Sequence, residues 1–68
     1  MDEYIANKRV EISFVKASMG YSSIVGKVID ESDLYYVVEF SDRQILAFKA
    51  NIRYIEIIGD ESSEENDD

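Results

Sequence analysis

The feature that most constrains this chain is a series of short apolar runs between residues 10 and 58, separated by turns that leave no room for another element. In the first run, Val10, Ile12 and Phe14 alternate with polar residues, which predicts a half-buried β-strand. Further strands are predicted over residues 24–29, 34–40, 44–49 and 53–58. A single 3₁₀ turn fits residues 50–52. The pattern therefore predicts an all-β fold, a small five-stranded barrel.

Several residues indicate where this chain bends and what it buries. Gly26 interrupts the second strand, and an internal strand Gly predicts the sharp bend or bulge that a small barrel needs. Asp2 is a suitable N-cap, so we expect a short N-terminal helix over residues 3–7. The expected core residues are Phe14, Val28, Val38, Phe40, Phe48 and Ile55.

Composition limits the class of protein. A chain of 68 residues has room for one domain, and without Cys it offers neither a disulfide nor a thiolate metal site. No apolar run approaches the ~20 residues of a membrane span, and the acidic start at Asp2 and Glu3 is unlike a signal peptide. We therefore expect a cytoplasmic protein that does not contact membranes.

The net charge of −8 is concentrated at one end of the chain. Six of the fifteen acidic residues lie within residues 60–68, so the rest of the chain carries nine acidic and seven basic residues. Because residues 60–68 contain no apolar side chain, we expect a disordered acidic tail after a domain over residues 1–59. Such a tail either solubilises the protein or competes for a basic surface.

Catalysis has few candidate residues in this sequence. The absence of His and Cys removes the commonest general base and the strongest nucleophile. Asp30, Glu31 and Asp33 lack the alternating ligands and the central Gly of a calcium loop, which favours a solvated turn over a metal site. We expect no enzymatic activity, no cofactor and no bound metal.

Some predicted strands are apolar on both parities, although one face of a small barrel ordinarily contacts water. Tyr35, Val37, Tyr54 and Ile58 fall on the parity that a lone barrel exposes. Strong β propensity with cover from the N-terminal segment is one explanation, and a subunit or partner interface is the other. Together with Tyr21 as a further aromatic anchor, they form the candidate partner-binding site.

Residues 48–55, Phe-Lys-Ala-Asn-Ile-Arg-Tyr-Ile, resemble the closing motif of the Sm/Lsm family, with Lys49 at the motif's Arg and Ala50 at its Gly. Gly26 is similar to the glycine of the family's first motif, so the resemblance spans about residues 8–58. It implies an SH3-like (Sm-like) barrel of five bent strands with a short N-terminal helix.

The same resemblance implies an oligomeric ring that binds RNA or a nucleotide through Lys49, Asn51 and Arg53. The turn at residues 30–33, Asp-Glu-Ser-Asp, is however acidic where the family presents a base-reading amide. The seven basic residues are also dispersed, whereas nucleic acid requires a basic surface with stacking aromatics.

We therefore favour a non-enzymatic protein-interaction module, a small accessory or mobile-element factor that binds and occludes a host protein as an inhibitor. Its partner is expected to be another protein, a second copy of the chain, or both. The Sm-like ring that binds RNA or a nucleotide is the alternative.

Overall fold

The computed structural model describes residues 5–60, which form a five-stranded antiparallel sheet. The strands are β1 (Lys8–Ser18), β2 (Tyr21–Glu31), β3 (Tyr35–Phe40), β4 (Arg43–Phe48) and β5 (Ile52–Asp60). One 3₁₀ turn, Lys49–Asn51, separates β4 from β5. Among residues 5–60 there is no α-helix, so the all-β prediction is confirmed.

The strand order is β4-β3-β2-β1-β5, so β1 to β4 form a meander and β5 returns to pair with β1. Within residues 5–60, β4 pairs only with β3 and β5 pairs only with β1. The hydrogen-bonded ladder therefore has two open edges. The prediction of five strands in a small domain is confirmed, whereas the ladder does not close into a barrel.

Irregular pairing bends the long strands. The register between β1 and β2 shifts between Ser13 and Ser18, and the register between β2 and β3 shifts between Val28 and Asp30. Such irregularities increase the local twist and bend a strand. Gly26 lies between them and is required for close packing, because a Cβ atom there would lie 2.5 Å from the carbonyl oxygen of Glu39.

The core lies on one face of the sheet. Its buried side chains are Ile5, Val10, Ile12, Phe14, Ile24, Val28, Val38, Ile45 and Ala47. Half-buried Tyr36, Phe40, Ile52, Ile55 and Ile57 pack against them. No polar or charged side chain among the described residues is fully buried, so the core depends on apolar packing alone.

Three of the six expected core residues, Phe14, Val28 and Val38, are buried. Phe40 and Ile55 are only half-buried, although they pack against the core. The prediction for Phe48 is wrong. Register pairs Tyr36 with Ala47 on the inner face and Tyr35 with Phe48 on the outer face, so the smaller alanine occupies the core position.

The structure does not support an N-terminal helix. Residues 5–7 form a turn in which the amide of Lys8 donates to the carbonyl oxygen of Ile5 at 3.2 Å. Asn7 has a φ of 60°, outside the right-handed helical region, and its amide donates to the carbonyl oxygen of Val28 at 2.8 Å. Strand β1 therefore begins where the helix was expected to end.

Two sequence predictions fall wholly or partly beyond the described part of the chain. The N-terminal portion of the expected helix, residues 1–4, lies outside it. Residues 61–68 of the expected acidic tail also lie outside it. Asp60 was expected to begin that tail, but its backbone is the last position of β5 and pairs with Lys8.

The register of the hairpin gives a stability prediction. Ile12→Ala removes a fully buried side chain and should lower the free energy of unfolding by about 2–5 kcal/mol. Phe48→Ala mainly removes the contact with the Tyr35 ring and should cost about 0.5–1.5 kcal/mol. Urea denaturation of both variants measures the difference. Equal losses would place Phe48 in the core and contradict the observed register.

A second prediction concerns the close approach at Gly26. Gly26→Ala forces the new methyl group against the backbone of Glu39 and the Val38 side chain, so the strands must separate, at about 1–3 kcal/mol. Gly59→Ala is the matched control, because the nearest atom to its new Cβ is 4.0 Å away. Thermal unfolding should show a large fall in midpoint only for Gly26→Ala. A similar small change in both variants would contradict the close packing.

Candidate functional site

The outer face of the β3–β4 hairpin carries four apolar side chains that do not contribute to the core. Tyr35 lies directly opposite Phe48, and Val37 lies directly opposite Leu46. The rings of Tyr35 and Phe48 meet edge to face, with centroids 5.7 Å apart. Leu46 and Phe48 keep 46% and 49% of their surface exposed, respectively. We call these four residues the β3–β4 outer patch.

A two-residue turn brings the patch together. Ser41 and Asp42 both have positive φ, 55° and 65°, and connect Phe40 directly to its partner Arg43. This conformation matches the twist of the adjoining strands and fixes their register. Because opposed residues of an antiparallel pair share a face, the register aligns two apolar residues of β3 with two of β4.

Carboxylates border the β3–β4 outer patch on several sides. Asp30 on β2 lies opposite Val37 and is exposed, and Glu39 lies two residues beyond Val37 on the same strand. Exposed Asp33 precedes Leu34, which is 69% exposed at the start of the hairpin. The outer surface of the hairpin thus combines an apolar centre with an acidic border.

The candidate partner-binding residues do not form one group. Tyr35 and Val37 lie in the β3–β4 outer patch, whereas Tyr54 and Ile58 lie on β5 at the opposite edge of the sheet. Both β5 residues are exposed, and Tyr54 pairs with Ser13. Partner binding by these residues stays a prediction. The structure places them at two separate parts of the sheet.

Tyr21, the fifth candidate partner-binding residue, begins β2 and is half exposed. Its ring meets that of Phe40 edge to face, with the centroids 5.4 Å apart. Sequence reasoning did not select Leu46 and Phe48 for the site. The available signal was their shared parity on β4, opposite to Ile45 and Ala47.

The candidate nucleic-acid residues occupy the 3₁₀ turn and the start of β5. The ammonium group of Lys49 donates to a carboxylate oxygen of Glu31 at 2.5 Å and lies 5.1 Å from the centroid of the Tyr36 ring. The hydrogen bond to Glu31 raises the pKa of Lys49 above its ordinary 10.5. Arg53 is exposed on β5.

Asn51 makes a reciprocal contact with β1. Its side-chain oxygen accepts a hydrogen bond from the amide of Lys16, and its side-chain nitrogen donates to the carbonyl oxygen of the same residue, both at 2.9 Å. The contact adjoins the last β1–β5 pair, Phe14 with Ile52, and lies in the part of β1 where the β1–β2 register is irregular. Binding of RNA or a nucleotide by Lys49, Asn51 and Arg53 stays a prediction, and the first two have partners within the chain.

The described surface shows few features of a catalytic or metal site. Two depressions border the β3–β4 turn and are lined mainly by polar residues, among them Glu39 and Ser41. Within residues 5–60, no three acidic side chains are placed to hold a metal ion together. The same residues contain no helix with the length and apolar character to cross a membrane.

Comparison with other proteins adds no assignment to this geometry. No protein-family model matches the chain, and neither a curated protein nor a solved structure matches it. The candidate site is therefore defined by the residues of the chain itself.

The Lys49–Glu31 contact gives a pH-dependent prediction. Because the pKa of Lys49 is raised in the folded protein, its stabilising effect is complete below the ordinary value of 10.5 and is lost as the pH rises through the higher native value. Glu31→Gln should return the pKa of Lys49 towards 10.5. NMR titration of the Lys49 side chain measures it, with Glu39→Gln as control. An unchanged pKa in Glu31→Gln would contradict the contact.

Proposed function

We propose that this chain is a non-enzymatic protein-interaction module that binds another protein through the β3–β4 outer patch. The observation that supports the proposal is the pairing of Tyr35 with Phe48 and of Val37 with Leu46 on the face opposite to the core. Half-exposed aromatic and aliphatic side chains that lie together are typical of an interface. Apolar residues that are exposed singly are common on protein surfaces, whereas the patch places four of them side by side.

Binding would act by occlusion. A partner surface that covers Leu46 and Phe48 becomes inaccessible to its other ligands, which is the mode of action of an inhibitor. Aromatic anchors supply most of the binding energy in such interfaces, and Tyr35 and Phe48 already support each other through their ring contact. A small accessory or mobile-element factor that blocks a host protein is the biological role that we propose.

We also propose that the sheet curls towards an SH3-like (Sm-like) barrel. The last strand, β5, pairs with the first strand, β1. The irregular positions in β1 and β2 bend both of these long strands. Gly26 lets β2 approach β3 closely at the bend. These features support a curled sheet, in which β4 and β5 are the edges that closure would join.

The alternative function is an oligomeric ring that binds RNA or a nucleotide. It is favoured by the two open edges, since among the described residues the outer edges of β4 and β5 lack strand partners. An interface between two different edges repeats head to tail and forms a ring when the rotation closes. Such a ring would repeat Lys49 and Arg53 around its axis.

Site-directed crosslinking tests the proposed function. A photo-reactive phenylalanine analogue at position 48 should crosslink to a discrete partner in the producing cell, and the same analogue at Tyr54, which is equally exposed, should not. Added wild-type protein and Val15→Lys should compete, whereas Leu46→Lys should not, because a positive charge in the patch would be buried without a partner. Partner crosslinks at Tyr54 alone, or equal competition by both variants, would contradict the proposal.

Light scattering with and without single-stranded RNA distinguishes the RNA-binding ring from the protein-interaction module. A ring predicts a mass of several chains and RNA binding that is abolished by Lys49→Ala with Arg53→Ala. Under the favoured function, the same double variant leaves the partner crosslink at position 48 intact.

A further inference from the structure

The border of the β3–β4 outer patch carries more negative than positive charge. Asp30, Asp33 and Glu39 surround it, and all three are exposed. Lys27 lies directly opposite Glu39, and Arg9 lies directly opposite Lys27, so two bases share the outer face with these three carboxylates. Lys49 lies near the Phe48 end, but its ammonium group is bound to the Glu31 carboxylate, so this pair adds no net charge.

The negative charge of this border indicates which kind of molecule binds to the patch. Two copies that joined through the same patch would bring two borders with an excess of carboxylates together, and both copies carry a net charge of −8. Like charges at an interface are unfavourable, whereas opposite charges accelerate association and select the partner. Nucleic acid would meet the same repulsion through its phosphates.

We infer that the β3–β4 outer patch docks on a basic surface of a different protein, an apolar area bordered by Lys or Arg side chains. This inference rests on the proposed function and specifies its partner. The apolar area covers Leu46 and Phe48, while the basic side chains of the partner pair with Asp30, Asp33 and Glu39. The net charge of −8 adds a long-range attraction to a basic surface.

Two short synthetic peptides are suitable probes. The first alternates Ile or Phe with Lys or Arg, and the second has Glu at each basic position. Titration into the isotope-labelled full chain, followed by NMR, should shift the backbone amides of Tyr35, Val37, Leu46 and Phe48 with the basic peptide only. The apparent Kd should rise about threefold or more between about 0.05 M and about 0.5 M salt, because salt screens exposed charges.

Two double variants with the same net charge separate the local border from the total charge. Asp30→Asn with Glu39→Gln removes two carboxylates beside the patch, while Glu11→Gln with Glu56→Gln removes two that face each other on β1 and β5. The first variant should lose most of the affinity for the basic peptide and its salt dependence. The second should keep affinity close to wild type, and dispersed amide spectra verify that both fold.

Several results would overturn the inference. Equal binding of both peptides at the patch would remove the role of charge but leave the proposed function standing. Equal losses of affinity in the two double variants would show that binding depends on the total charge of the chain and not on the carboxylates beside the patch. Patch shifts that depend on protein concentration and grow with salt would identify a second copy as the occupant. Patch shifts with single-stranded RNA, or none with the basic peptide, would also exclude a basic protein surface.

Discussion

The register of the β3–β4 hairpin is the constraint on which both the core and the candidate site depend. Ser41 and Asp42 adopt positive φ in a two-residue turn that leaves one way to pair the strands. A slip by one residue would exchange the faces of β4. Leu46 and Phe48 would enter the core, and Ile45 and Ala47 would replace them on the outer face. The turn therefore determines which residues stabilise the domain and which can meet a partner.

Polar contacts in this domain maintain the irregular parts of the sheet. Asn51 satisfies both backbone groups of Lys16 where the pairing of β1 is interrupted, and Lys49 joins the end of β2 to the 3₁₀ turn through Glu31. Residues that resemble a nucleic-acid motif in sequence thus have structural contacts here. A phosphate at Lys49 would meet repulsion from the Glu31 carboxylate, which already accepts a hydrogen bond from the ammonium group.

The sequence was sufficient for the strands and turns, because alternation and short polar segments depend on local information. It was insufficient for the faces of β4, where both parities are apolar and the size of Phe48 suggested a core position. The sequence of β4 could not show which face is buried, because the register of the strand determines it. That register is set by a two-residue turn with non-glycine residues at positive φ. The N-terminal helix failed for a related reason, because Asn7 takes a left-handed conformation and joins β2 by a hydrogen bond.

The candidate site was predictable only in part. The parity of β3 identified Tyr35 and Val37, but their partners Leu46 and Phe48 follow from register, and the separation of Tyr54 and Ile58 follows from strand order. The acidic border also requires the fold, since Asp30 meets Val37 only because β2 and β3 shift register beyond Val28. The irregularity that bends the sheet thus also places a carboxylate beside the apolar patch, so curvature and the charge of the candidate interface have a common structural origin.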